Sequence, residues 1–289
     1  MNRLKIKRSL FETAAPGAPL LISVISGKGG VGKSVLAFNL AHQIAQVNRR
    51  VLLVDADSNF GNQHIMANIA AAHGLNEVVK HILSLEEATV KVSDNFDLLA
   101  SPHRVNPFEE DQIAELADLV NLLRRAQENY DVIILDHASG MSKQSATLAY
   151  ASDVSLIVII PELSSISDGY GLFKYLKSSS AAIDCRLLVN RAEDDKEAEY
   201  IFSKFCALSE RFLGTVPEFA GYVSEDDALR RSLAAQQPLA AVAAESTALA
   251  NINLLASNIL NIPVDAFETV GATPITEINK TAAYADIKE

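Results

Sequence analysis

Residues 21–38 read Leu-Ile-Ser-Val-Ile-Ser-Gly-Lys-Gly-Gly-Val-Gly-Lys-Ser-Val-Leu-Ala-Phe, and the order of residue types along this stretch decides the fold. Leu21 to Ile25 alternate little between apolar and polar, which predicts a strand buried on both faces, the habit of parallel sheets. A glycine loop follows at once. Gly27, Gly29, Gly30 and Gly32 have no Cβ, so the backbone there can take positive φ and turn its N–H groups inward on an anion. Lys33 adds a charge, and Ser34 opens a helix whose first-turn N–H groups and dipole favour phosphate. The spacing Gly27 to Ser34 meets G-x-x-x-x-G-K-[ST] in full, with a strand before it and a helix after it, and this context gives the motif its weight. The phosphate-binding set is therefore Gly27, Lys28, Gly29, Gly30, Val31, Gly32, Lys33, Ser34 and Val35, with the Ser34 hydroxyl placed to ligate Mg²⁺.

Working outward, Val35, Phe38, Leu40, Ala41, Ile44 and Ala45 recur at helical spacing and form a face for a sheet. Val51 to Val54 predict a second buried strand that delivers Asp55 and Asp57 at its carboxyl end, where open α/β sheets bind ligands. Residues 67–92 carry alanines and scattered leucines and read as short helices; Phe96 to Ala100 read as a strand. Asn106, Pro107 and Glu109 predict the start of a helix carrying Ile113, Leu116, Val120 and Leu123. Asp131 to Asp136 is a further buried strand ending in an acid, with Gly140 four residues on. Asp136 is suited to hold a Mg²⁺-bound water, and Gly140 to let backbone approach a γ-phosphate. His137 beside it is an unpromising base, since nothing else in the sequence points to that role. Ser155 to Ile160 and Cys185 to Asn190 complete the strands of the central region. Phe219 to Pro238 hold a last strand and turn, and Leu249, Ile252, Leu255 and Ile259 form the stripe of a core helix.

Composition sets bounds on function. The chain has 289 residues, 49% hydrophobic and 21% charged, and a formal net charge of −11. This is a folded globular balance, enough for one large core. The charge argues against a whole-surface nucleic-acid binder, which needs clustered Lys and Arg, so DNA is not expected as a partner. No signal-peptide core and no run of roughly 18 apolar residues occurs, which predicts a cytoplasmic protein. Cys185 and Cys206 form no C-x-x-C and suit a reducing compartment. The expected organisation is a basic N-terminal arm and linker over 1–19, an ATPase domain over 20–262, and a tail over 263–289. That tail is acidic on balance, so it is no basic amphipathic membrane helix.

Lys28, one residue into the loop, gives Lys-Gly-Gly-Val-Gly-Lys-Ser, which resembles the deviant Walker A loop of the MinD/ParA ATPases. The resemblance implies a doubly wound, mostly parallel α/β fold, ATP and Mg²⁺ as cofactors, slow partner-stimulated hydrolysis, and an ATP-dependent homodimer in which Lys28 reaches the partner's nucleotide. Asp55 to Met66 and Pro161 to Tyr170 resemble the FlhG (FleN, YlxH) branch, which controls flagellar number and works with an FlhF-like GTPase. By position Asp57 is then the group that orients the attacking water and sits near the metal with Ser34 and Asp136. Asn62 matches an asparagine the family keeps nearby. Asn190 stands where the family contacts adenine, and Asn190-Arg-Ala-Glu193 does not meet the guanine motif Asn-Lys-x-Asp. Departures are Ser58-Asn59-Phe60, His137, Val223 in place of proline, and the absence from residues 1–19 of the branch's Asp-Gln-Ala-x-x-Leu-Arg motif. Two alternatives stand beside the flagellar reading: a MinD- or ParA-like positioner of another cargo, and a non-catalytic nucleotide-binding module.

Overall fold

A computed structural model describes residue 11 and residues 15–57, 61–102 and 113–267. Eight strands form one sheet: β1 (Leu20–Ile25), β2 (Val51–Ala56), β3 (Val90–Ser93), β4 (Phe96–Leu99), β5 (Val132–His137), β6 (Val154–Ile159), β7 (Cys185–Ala192) and β8 (Glu218–Ser224), in the order β3-β4-β2-β5-β1-β6-β7-β8. Every pairing is parallel except β3 with β4. The runs Val51–Ala56, Val132–His137 and Val154–Ile159 are buried at every position. Helices, among them the short α4 (Leu85–Ala88) and α10 (Leu239–Val242), cover both faces of the sheet, and this double burial is why those runs show no alternation.

Side chains separate by parity. Ile22, Val24, Leu53 and Ile134 pack with α1 (Lys33–Gln46) and α11 (Thr247–Leu260) on one face. Leu21, Leu52, Val54, Ile133 and Leu135 face the other side, toward α3 (Leu75–Val79), α5 (Ile113–Arg124) and α6 (Lys143–Ala151). Farther along that second face, Ile157 and Ile159 meet α7 (Leu163–Ser179) and α8 (Asp195–Leu213). From β1 the chain winds to one side through β2–β5 and to the other through β6–β8. The strand order therefore reverses at β1, and the loop after β1 lies in the crevice where such sheets hold ligands.

The structure corrects one sequence expectation and adds an element that none had covered. Val90–Ser93 is a strand rather than part of a helical run; only four residues long, it turns through Asp94-Asn95 onto β4 as an antiparallel edge, too short to show a period. The segment after Asp57 forms a single helical turn, α2 (Gln63–Met66), that no periodicity announced. The expected cap at Asn106 and Pro107, most of the basic arm and the tail beyond 267 lie outside the described residues. Within residues 1–19 the structure describes residue 11 and residues 15–19, and Phe11 sets its ring 5.9 Å from Tyr150.

Candidate functional site

The phosphate loop follows from its glycines. Gly30 and Gly32 have φ of 80° and 85°, and Gly140 across the crevice has φ of 93°. Only glycine takes these angles without strain. Gly32 is the residue before α1, whose first residue is Lys33, so the N–H groups of Lys33, Ser34 and Val35 open toward the loop. The loop is pinned from three sides. Gly140 N donates to Ser26 O at 2.9 Å, the Asn190 amide donates to Val31 O at 2.7 Å, and Ser26 Oγ donates to Lys28 O at 3.0 Å.

Gly27 answers to a different constraint. A Cβ there would lie 2.4 Å from the carbonyl carbon and oxygen of Asp168 in α7, so the loop packs backbone to backbone on that helix. Gly27→Ala is expected to cost about 1–3 kcal/mol by overpacking. Gly30→Ala, with open space around its Cβ site, is expected to cost only the left-handed backbone strain of about 1–2 kcal/mol. Urea unfolding of both variants, together with ATP titration, checks this. Gly27→Ala should also weaken nucleotide binding, because something in the loop has to move.

Lys33 and Asp136 form a buried ion pair at 2.5 Å, with side chains 5% and 1% exposed. Lys33 Nζ also lies 3.4 Å from Ser34 Oγ. The second oxygen of Asp136 accepts from the Gln63 side-chain amide at 2.8 Å. Asp55 holds the next loop: its carboxylate accepts from Asp57 N at 3.3 Å and from Gln63 N at 3.0 Å, the two ends of the excursion after β2. Burial, and then the charge of Asp136, push the Asp55 carboxyl up to about 7. Asp57 lies just beyond, half-buried.

His137 points away from this chemistry. It follows Asp136 on β5 and so projects from the opposite face, where its Nε2 lies 2.8 Å from Ser23 Oγ, itself 2.8 Å from Ser152 Oγ. Burial above all, with the Lys33 ammonium second, pulls its imidazole down to about 3 and keeps it neutral. It is a buried hydrogen-bonding group with no access to the phosphate side.

Lys28 is 34% exposed, and its ammonium bonds to the Glu162 carboxylate and, at 3.0 Å, to Ser164 Oγ, both at the start of α7. Beside the loop, Val35, Leu36, Val223, Leu229 and Leu233 line a largely aliphatic cavity, with Asn190, Arg191 and Glu225 on its polar rim. Asn190 thus faces two ways: it lines the cavity and its amide hydrogen is committed to the loop carbonyl of Val31. Asn62, singled out by position, is exposed, whereas its neighbour Gln63 is 0% exposed and sits among the acids. Nothing in the residue spacing distinguishes the two.

The donor set fits Mg²⁺. Asp136 and Ser34 offer oxygen only, and among the described residues no cluster of three His, Cys, Asp or Glu forms a metal cage. Mg²⁺ is bound in that sparse way, by one or two protein oxygens with phosphate and water completing the shell.

A protein-family model described as an AAA domain matches residues 20–187. The chain belongs to the MinD/ParA-type P-loop ATPases. Antiactivator FleN of Pseudomonas aeruginosa is 27% identical over 223 residues, 75% of this chain and 78% of FleN. The flagellum site-determining protein YlxH of Helicobacter pylori is 22% identical over 232 residues, 80% of this chain and 78% of YlxH. The septum site-determining protein MinD of Pyrococcus horikoshii, solved in complex with Mg-ADP, superposes with a TM-score of 0.67 at 21% identity, covering 83% of this chain and 96% of that one. The doubly wound architecture is therefore that of this P-loop ATPase family. Among the described residues no helix is long and apolar enough to cross a membrane.

Proposed function

We propose that this chain is an ATP-dependent dimerising switch ATPase that controls the placement or number of a cellular structure, flagella in the first instance. The observation that carries the ATPase part is the buried Lys33–Asp136 pair under a glycine loop closed by Gly30, Gly32 and Gly140. In the cycle, Lys33 exchanges Asp136 for the β- and γ-phosphates, and Asp136 and Ser34 take up the metal. Bound Mg²⁺ supplies charge neutralisation at the phosphates. Asp57 orients the attacking water, and the aliphatic cavity beside Asn190 receives the adenine ring. Lys28 leaves Glu162 and reaches the nucleotide of a second copy; the dimer presents a face to a protein partner of FlhF-like or regulatory type, and hydrolysis releases it.

The flagellar part rests on the match to FleN and YlxH along most of both lengths. Deleting the gene and counting flagella by electron microscopy tests it. A changed number or position is the expected result, whereas unchanged flagella with misplaced septa or another misplaced structure would favour a different cargo. Turnover of ATP by the purified chain separates a switch ATPase from a non-catalytic nucleotide-binding module: phosphate release above background is expected, and its absence at saturating Mg·ATP with partner present would sink the enzymatic reading.

A further inference from the structure

Gln63 is fully buried, and the three hydrogen bonds it donates run to three different parts of the site. Its backbone N–H binds Asp55 Oδ2 at 3.0 Å. Its amide nitrogen donates to Ser34 O at 3.0 Å and to Asp136 Oδ2 at 2.8 Å. Two acceptors on the nitrogen side fix which way round the amide lies, because a flipped amide would set its oxygen against a carbonyl and a carboxylate. The oxygen left over, Oε1, is buried and has no hydrogen-bond partner among the described residues. Buried acceptors without partners are uncommon, and one carried by an amide whose nitrogen bridges Ser34 and Asp136, the two residues suited to ligate a metal, calls for a donor that the described residues do not provide.

Phosphate cannot be that donor, since at neutral pH it offers acceptors almost alone. A hydrated divalent cation can. Mg²⁺ gives up water reluctantly and keeps several waters in its shell, and each polarised water carries O–H donors. We propose that Gln63 positions the metal through its outer shell: Nε2 holds the Asp136 carboxylate in place, while Oε1 accepts a hydrogen bond from a metal-bound water. This rests on the ATPase reading of the site. It makes Gln63 a positioning residue, coupling the loop after β2 to metal occupancy, because the same residue is tied through its backbone to Asp55. α2 carries the coupling outward, as Ile65 O accepts from Gln236 at 2.7 Å, beyond the end of α9 (Asp227–Ala235) on the cavity wall.

The test is Mn²⁺ affinity, read by electron paramagnetic resonance on the full chain with ADP, beside ADP affinity in EDTA. Gln63→Met keeps the length and removes both hydrogen-bonding ends. We expect it to weaken Mn²⁺ binding at least tenfold, the low end of outer-shell effects on metal sites. Metal-free ADP affinity should stay within about twofold, a split that general damage to the site would not produce. Should Gln63→Met not fold, Gln63→Asn, which withdraws the amide by one methylene, carries the same criterion. Wild-type Mn²⁺ affinity in the folded Met or Asn variant overturns the proposal, as does an equal loss of metal-free ADP affinity in that variant. A wild-type chain that binds no ADP, with or without Mn²⁺, would overturn the ATPase reading and this proposal with it; normal wild-type binding confines any failure to Gln63.

Discussion

Lys33→Ala is expected to abolish detectable ATP binding and also to cost the nucleotide-free chain about 3–5 kcal/mol of stability. The first effect follows from the loop: without the ammonium, the glycine cradle offers N–H groups but no full charge to the phosphates. The second follows from burial. Asp136 is 1% exposed, and once Lys33 is gone the hydrogen bond from Gln63 is what remains of its described contacts. A buried carboxylate stripped of its cation keeps its desolvation cost and loses the compensation. The double variant Lys33→Met with Asp136→Asn separates the two effects, since it removes both charges at nearly constant volume. It should recover most of the stability and none of the ATP binding. Calorimetry with ATP and urea unfolding measure both. Wild-type ATP affinity in Lys33→Ala would remove Lys33 from the phosphate site, and a stability loss below about 1 kcal/mol would mean that water reaches Asp136.

Which parts of this molecule were legible beforehand has a physical explanation. Val51–Ala56 and Val132–His137 are buried on both faces, so their near-continuous apolar runs could be read directly as central parallel strands. The glycine loop was legible because its conformation depends on which residues lack a Cβ, and that is written in the residue types. Val90–Ser93 was not, since an edge strand of four residues shares its composition with a short helix. Gln63 was missed because its role depends on where the chain returns after an excursion of a few residues, and no period encodes that return. The same applies to Glu162: only the packing of α7 on the phosphate loop, which Gly27 permits at Asp168, brings its carboxylate to Lys28. His137 shows the converse. It directly follows Asp136, yet strand alternation alone turns it to the far face, which agrees with its poor prospects as a base.

Lys28→Ala and Asp57→Ala are expected to fail in opposite directions, because in the proposed cycle they address different steps. In the free chain Lys28 bonds to Glu162 and Ser164, but Glu162 is 52% exposed, and an ion pair so open to water holds its lysine weakly. Release toward a second copy is therefore cheap, and in the proposed dimer the buried charge gained at the partner's phosphates is the larger interaction. Lys28→Ala should stay monomeric with ATP and Mg²⁺. Glu162→Gln, which frees Lys28 without deleting it, should dimerise at lower ATP than the wild type. Asp57 stands at the mouth of the loop clamped by Asp55, and its removal leaves Lys33, Ser34 and Asp136 in place. Asp57→Ala should then bind ATP, dimerise and persist, with turnover about 10²–10⁴-fold slower, the range for losing one positioned base. Light scattering with ATP and Mg²⁺, followed over the time of hydrolysis, reads all three variants. A Lys28→Ala dimer as stable as the wild type would make this lysine a surface charge held by Glu162 and nothing more. A monomeric Asp57→Ala would mean that the acid builds the loop after β2 rather than timing the release of the dimer.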